Sequence, residues 1–161
     1  MKGVSNDTFA PNMNITRGML VTVLGRKEGI KDDANVAPAF GDVSAEQYYA
    51  SHIDWAVKNE IVFGYGDNLF GPEDFITREQ IAAIMYRYAK FKGFDVSVGE
   101  STNILSYEDY SSISEYAIAS VQYAVGSGLM KGKSETTFNP VDYATRAEIA
   151  TILHRFLTTN N

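Results

Sequence analysis

Three arginines stand where a cation is least expected. Arg17, Arg78 and Arg146 each follow a threonine, and each opens a stretch with helical apolar spacing. The N-terminus of a helix is already partly positive, so a cation there costs a few tenths to about 1 kcal/mol. The neighbouring residues explain themselves. Thr145 and Glu148 have the spacing of a capping box, in which hydroxyl and carboxylate each satisfy an orphan amide. Thr77 and Gln80 can do the same, whereas Met19 offers Thr16 no such acceptor. The arginines need another reason. A guanidinium fork beside a helix N-terminus is a good seat for a carboxylate or phosphate. That anion is either a carboxylate of the protein itself or part of an external ligand, and the local pattern leaves both open.

The elements that carry these residues recur. Phe9, Phe70 and Phe138 each begin Phe-x-Pro, followed at a fixed offset by Thr-Arg and an apolar helical pattern. A leading element precedes the last two copies only, from Phe40 and from Tyr107, and runs through a helix-like stretch to a glycine-bearing loop. Internal repetition of this kind sets the fold before any other signal. The expected division is a half unit at 1–29 and whole units at 40–93 and 107–159, joined by polar connectors at 29–39 and 93–106. The opening MKGVSNDTFAP matches MKGKSETTFNP from Met130, pairing Met1 with Met130 and Lys2 with Lys131. The expectation is therefore that the chain opens inside a repeated unit, and that a truncated first unit leaves an apolar face for self-association.

Periodicity predicts helices near 16–28, 45–60, 77–92, 112–126 and 145–158, an all-α fold. Ile81, Ile84, Met85 and Tyr88 form one apolar stripe, and Ile149, Ile152, Leu153 and Phe156 another. Leu20, Val23 and Leu24 begin a third. These read as a shared core.

Composition narrows the function. Net charge is −6 with 45% apolar residues, which supports a core and argues against a general nucleic-acid binder. There is no cysteine, so no thiolate metal site or disulfide framework is available; this suits an extracellular bacterial protein. No apolar run approaches the roughly 20 residues of a membrane span. Neither GYGDN nor GKSET has the acidic spacing of a calcium loop. His52 and His154 lack metal-like partners and read as structural or surface residues. No cofactor is called for.

The constellation resembles the S-layer homology domain, a family of bacterial cell-envelope anchors. The resemblance rests on Phe40-Gly41-Asp42-Val43, Trp55-Ala56, Ile61, Gly66-Asp67-Asn68-Leu69-Phe70-Gly71-Pro72 and Ile76-Thr77-Arg78-Glu79-Gln80. The third copy is looser at Tyr107-Glu108-Asp109-Tyr110 and Tyr123-Ala124 but complete at Thr145-Arg146-Ala147-Glu148. The resemblance implies tandem helical repeats in a pseudo-threefold arrangement with loop-rich prongs. It implies a cell-wall or S-layer location and binding of a secondary cell wall polymer, often pyruvylated, in grooves met by Arg17, Arg78 and Arg146. Trp55 and Tyr123 occupy equivalent positions, either stacking on sugar or filling the core. Asp42 and Asp109 accept sugar hydroxyls or cap the following helices. Gly64 and Gly132 permit tight turns or admit a ligand close to the backbone. The alternative is a protein-interaction or structural module in which the arginines are internal ion-pair partners. A glycosidase would need a carboxylate pair across a sugar bond, and the repeats single out none.

Overall fold

The computed structural model describes residues 8–33 and 35–159. The correspondences at Met1, Lys2, Gly3 and Ser5 lie outside the described residues. Five α-helices are present among them: α1 (Arg17–Lys27), α2 (Ala50–Lys58), α3 (Arg78–Phe91), α4 (Ile118–Gly126) and α5 (Arg146–Thr159). Short 3₁₀ turns occupy Ser97–Ser101, Tyr110–Ser112 and Glu115–Ala117. The only β pairing among the described residues is isolated bridges. The fold is all-α, as the periodicity predicts.

The starts follow the sequence logic. Thr16 Oγ1 accepts from the Met19 amide at 3.3 Å, a single cap without a return bond from Met19. Thr77 and Gln80 complete a reciprocal box, at 3.4 and 3.2 Å. Thr145 and Glu148 do so at 3.3 and 2.8 Å. Two expected starts are corrected. The 45–49 stretch forms i→i−3 turns instead of α-helix, with Gln47 N donating to Ser44 O and Ala50 N to Gln47 O. Likewise 112–117 is turn and 3₁₀ helix. There Glu79 of α3 accepts from the Ser114 amide and hydroxyl and from the Tyr116 hydroxyl, at 2.9, 2.8 and 3.1 Å. This long-range anchor outweighs local helical propensity.

The chain folds as two compact units. One is Ile15–Phe75, in which α1 packs on α2. Leu20, Val21, Leu24, Ile53 and Ala56 are all buried there. A Cβ on Gly25 would fall 2.5 Å from His52 Nδ1, so the missing side chain lets the two helices approach. The other unit joins the N-terminal stretch ending at Asn14 to everything from Ile76 onward, and within it α3 packs on α4. Tyr88 stacks on Phe156 with ring centres 5.1 Å apart. The predicted stripes are buried except for Val23 and Leu153, which are half-buried. Each fully buried Leu or Ile contributes about 1.5–3 kcal/mol. In both units the Thr-Arg helix of one sequence copy packs on the leading helix of the next copy. Packing therefore runs across the repeat boundary in the sequence.

Candidate functional site

Each repeated arginine begins a helix yet turns away from it and is buried, with 5–6% exposure. Arg17 Nε donates to Phe70 O at 3.0 Å and Nη2 to Phe63 O at 3.1 Å. Arg78 repeats this on Phe138 O at 3.0 Å and Lys131 O at 2.6 Å. Arg146 Nε donates to Phe9 O at 2.8 Å. The guanidinium also lies over the same phenylalanine ring, 4.6, 4.9 and 5.0 Å from the centres of Phe70, Phe138 and Phe9. Cation–π contact and charge-assisted bonds offset the unfavourable helix position. The order is cyclic: the first copy holds the second copy's loop, the second the third's, and the third the first's.

The helix N-termini are occupied by the same loops. Arg17 N and Gly18 N donate to Asp74 O and Pro72 O at 3.0 and 2.9 Å. Arg78 N and Glu79 N donate to Asp142 O and Pro140 O at 3.0 and 2.9 Å. Arg146 N and Ala147 N donate to Met13 O and Pro11 O at 2.9 and 3.0 Å. The two open readings of the motif, a carboxylate within the protein or an external anion, thus gain a third term. The chief partners are the protein's own loop carbonyls.

Asp42 and Asp109 are half-buried and hold loop amides instead of capping the following helices. Asp42 accepts from the amides of Phe70 and Gly71 at 2.9 and 2.7 Å. Asp109 accepts from Phe138 and Asn139 at 2.9 and 2.7 Å. The middle residue of each Phe-x-Pro is left-handed, with φ of 51° at Ala10, 70° at Gly71 and 58° at Asn139. In the second and third copies the loop is clamped between an aspartate on its amides and an arginine on its carbonyl.

Gly64 and Gly132 sit beside the second carbonyl partners. A Cβ on Gly64 would lie 2.5 Å from Leu69 O and the Phe40 ring. One on Gly132 would strike Ser134 O and sit 2.9 Å from the Tyr107 ring. Neither has a left-handed φ; close packing is what requires them. Trp55 is half-buried on α2. Tyr123 is 2% exposed, edge-on to Tyr86 at 5.6 Å. It fills the core, and its ring has no open face for a ligand. His52 is buried with Nε2 2.9 Å from Asp32 Oδ1, and His154 is exposed.

The clamp at Arg78 borders a groove of about 360 Å³ that also takes in Lys131, Lys133, Glu148, Thr151 and Arg155. Four cations face one carboxylate. Lys133 Nζ lies 2.7 Å and Arg78 Nη1 3.5 Å from Glu148 Oε1. Burial opposes ionisation of Glu148, but Lys133 and the Thr145 amide outweigh it and hold the carboxyl below its usual range. Glu148 is therefore ionised at neutral pH and offsets one of the four cations, which leaves the groove net positive. Lys131, Lys133 and Arg155 were not singled out from sequence, although two lysines flanking Gly132 were the available signal. Among the described residues no cluster of His, Asp or Glu is arranged to hold a metal ion, and no helix is long and apolar enough to cross a membrane.

These features define a class: a tandem-repeat helical domain in which each Thr-Arg helix holds a Phe-x-Pro loop. The model of the S-layer homology domain matches residues 1–18, 39–82 and 106–150, and the chain belongs to that family. An amylopullulanase of Thermoanaerobacterium thermosulfurigenes is 32% identical over 157 residues, which is 98% of this chain and 8% of that protein. A cellulosome-anchoring protein of Acetivibrio thermocellus is 25% identical over 161 residues, 98% of this chain and 35% of that one. A surface-layer 125 kDa protein of Lysinibacillus sphaericus is 25% identical over 158 residues, 96% and 13% respectively. The chain thus spans a small part of the relatives it matches.

Proposed function

We propose that this domain is a non-catalytic anchor that holds a bacterial surface protein to the cell wall by binding an anionic secondary cell wall polysaccharide. Membership of the S-layer homology family supports anchoring, as do relatives named for surface layers and cellulosome anchoring. The enzyme-named relative shares only 8% of its length with this chain, so its name brings no catalysis here. The observation that carries the anionic ligand is the groove of Arg78, Lys131, Lys133 and Arg155. On a chain of net charge −6, a cluster of four cations answers a local negative partner. A pyruvate ketal supplies such a carboxylate, and the lysine ammonium groups meet it as point charges. Binding needs neither metal nor redox cofactor.

The test is co-sedimentation of the chain with purified walls carrying the polymer. Raising salt from 50 to 500 mM weakens binding, because charge pairing at an exposed groove is screened. Walls stripped of ketal pyruvate bind less. Binding unaffected by both treatments overturns the anionic reading.

A second reading has a specific observation in its favour: Arg17, Arg78 and Arg146 are all spent on internal carbonyls. A purely structural or protein-interaction module explains those contacts equally well. The double variant Lys131→Ala/Lys133→Ala separates the two. Under the anchoring reading it folds and loses wall binding; a variant that binds walls like the parent favours the scaffold.

A further inference from the structure

The loops held by Arg17 and by Arg78 are built alike but present opposite chemistry. Phe63-Gly64-Tyr65 occupies the place of Lys131-Gly132-Lys133. The equivalence is structural, since the Phe63 carbonyl receives Arg17 Nη2 as the Lys131 carbonyl receives Arg78 Nη2. Where one loop offers two ammonium groups, the other offers two aromatic rings, each 53% exposed.

The Tyr65 ring is held in place. Arg17 Cζ lies 4.3 Å from its centre. A Cβ on Gly71 would come within 2.6 Å of Tyr65 Cε2, so the ring edge rests against a residue without a side chain. The guanidinium lies over one ring face, while Tyr65 as a whole stays 53% exposed. Around it the charge is negative. Asp67, Glu73 and Asp74 are exposed on the same loop and turn, while Arg17 is buried and engaged. Such a surface repels a carboxylate. It suits the C–H face of a pyranose, which packs on an aromatic ring while nearby carboxylates accept its hydroxyls.

We infer that the Arg17 loop binds a neutral sugar ring by stacking on Phe63 and Tyr65, and does not bind the anionic group assigned to the Arg78 groove. This rests on the glycan-binding reading above and divides it between two chemistries.

The experiment is calorimetric titration of the full chain with purified secondary cell wall polysaccharide, before and after removal of acidic substituents, at 50 and 500 mM salt. Phe63→Ala/Tyr65→Ala lowers affinity about tenfold, as truncation of a buried contact does. The loss is the same at both salt concentrations and for both polymers. Phe63→Ser alone, which keeps Tyr65 under Arg17, gives a smaller loss with unchanged thermal unfolding. A parent chain that binds while the aromatic variants match it overturns this inference alone. A loss that disappears at high salt also overturns it. A parent chain that binds neither polymer overturns it together with the anchoring reading.

Discussion

Arginine at the first position of a helix is a poor local choice that becomes favourable through a distant partner. The Nε and Nη2 of Arg78 donate to two carbonyls at once. A lysine is a point charge on a flexible stem and cannot span both. Arg78→Lys is therefore expected to cost about 2 kcal/mol, close to the worth of one buried bond to a charged group, read by urea unfolding. Ala10 shows the opposite situation. It holds φ of 51°, a conformation that costs an L-residue with a Cβ about 1–2 kcal/mol. The equivalent positions carry Gly71 and Asn139, the types that tolerate it. Ala10→Gly should raise the melting temperature by about 2–4 °C, the shift expected for roughly 1 kcal/mol in a chain of this size.

At the scale of elements, the helices and most of their caps could be read from the sequence, because capping and apolar stripes are local signals. Their partners could not. Asp42 meets amides 28 and 29 residues away, and nothing near Asp42 records that. The late start of α4 has the same origin, since Glu79 fixes Ser114 and Tyr116 from another helix. The α1–α2 contact also sets a pH dependence. Burial lowers the pKa of His52, against the opposing pull of Asp32. Its folded pKa lies below the unfolded value of about 6.5, so the unfolded chain takes the proton first. Stability is full above about 6.5 and falls as pH drops through the window between the two values. The bond to His52 lowers the Asp32 pKa as well, which adds a further loss below about 4. Urea midpoints at pH 7.5 and 5.5 check this: the parent loses stability on acidification, and His52→Gln flattens the change.

For the whole molecule, repetition and family resemblance were legible, but the division into packed units was not. Sequence copies are counted by motif, whereas the cores join the Thr-Arg helix of one copy to the leading helix of the next. The proposed binding surface was legible only in part. The arginines drew attention through their repetition, yet they are buried in the clamps. The groove takes its charge from Lys131, Lys133 and Arg155 as well; Lys131 recurs in the sequence as Lys2, but no other copy has a lysine at the place of Lys133. Repetition marks what the fold requires, and departures between copies mark where ligand chemistry can differ. The central claim is that the clamps hold the loops while the lysines bind the polymer. It is tested most directly by titrating Lys131→Ala/Lys133→Ala with the anionic wall polysaccharide at low salt, alongside its thermal unfolding. The account predicts an affinity loss of about tenfold or more with a melting temperature near that of the parent. A double variant that binds as tightly as the parent would contradict it.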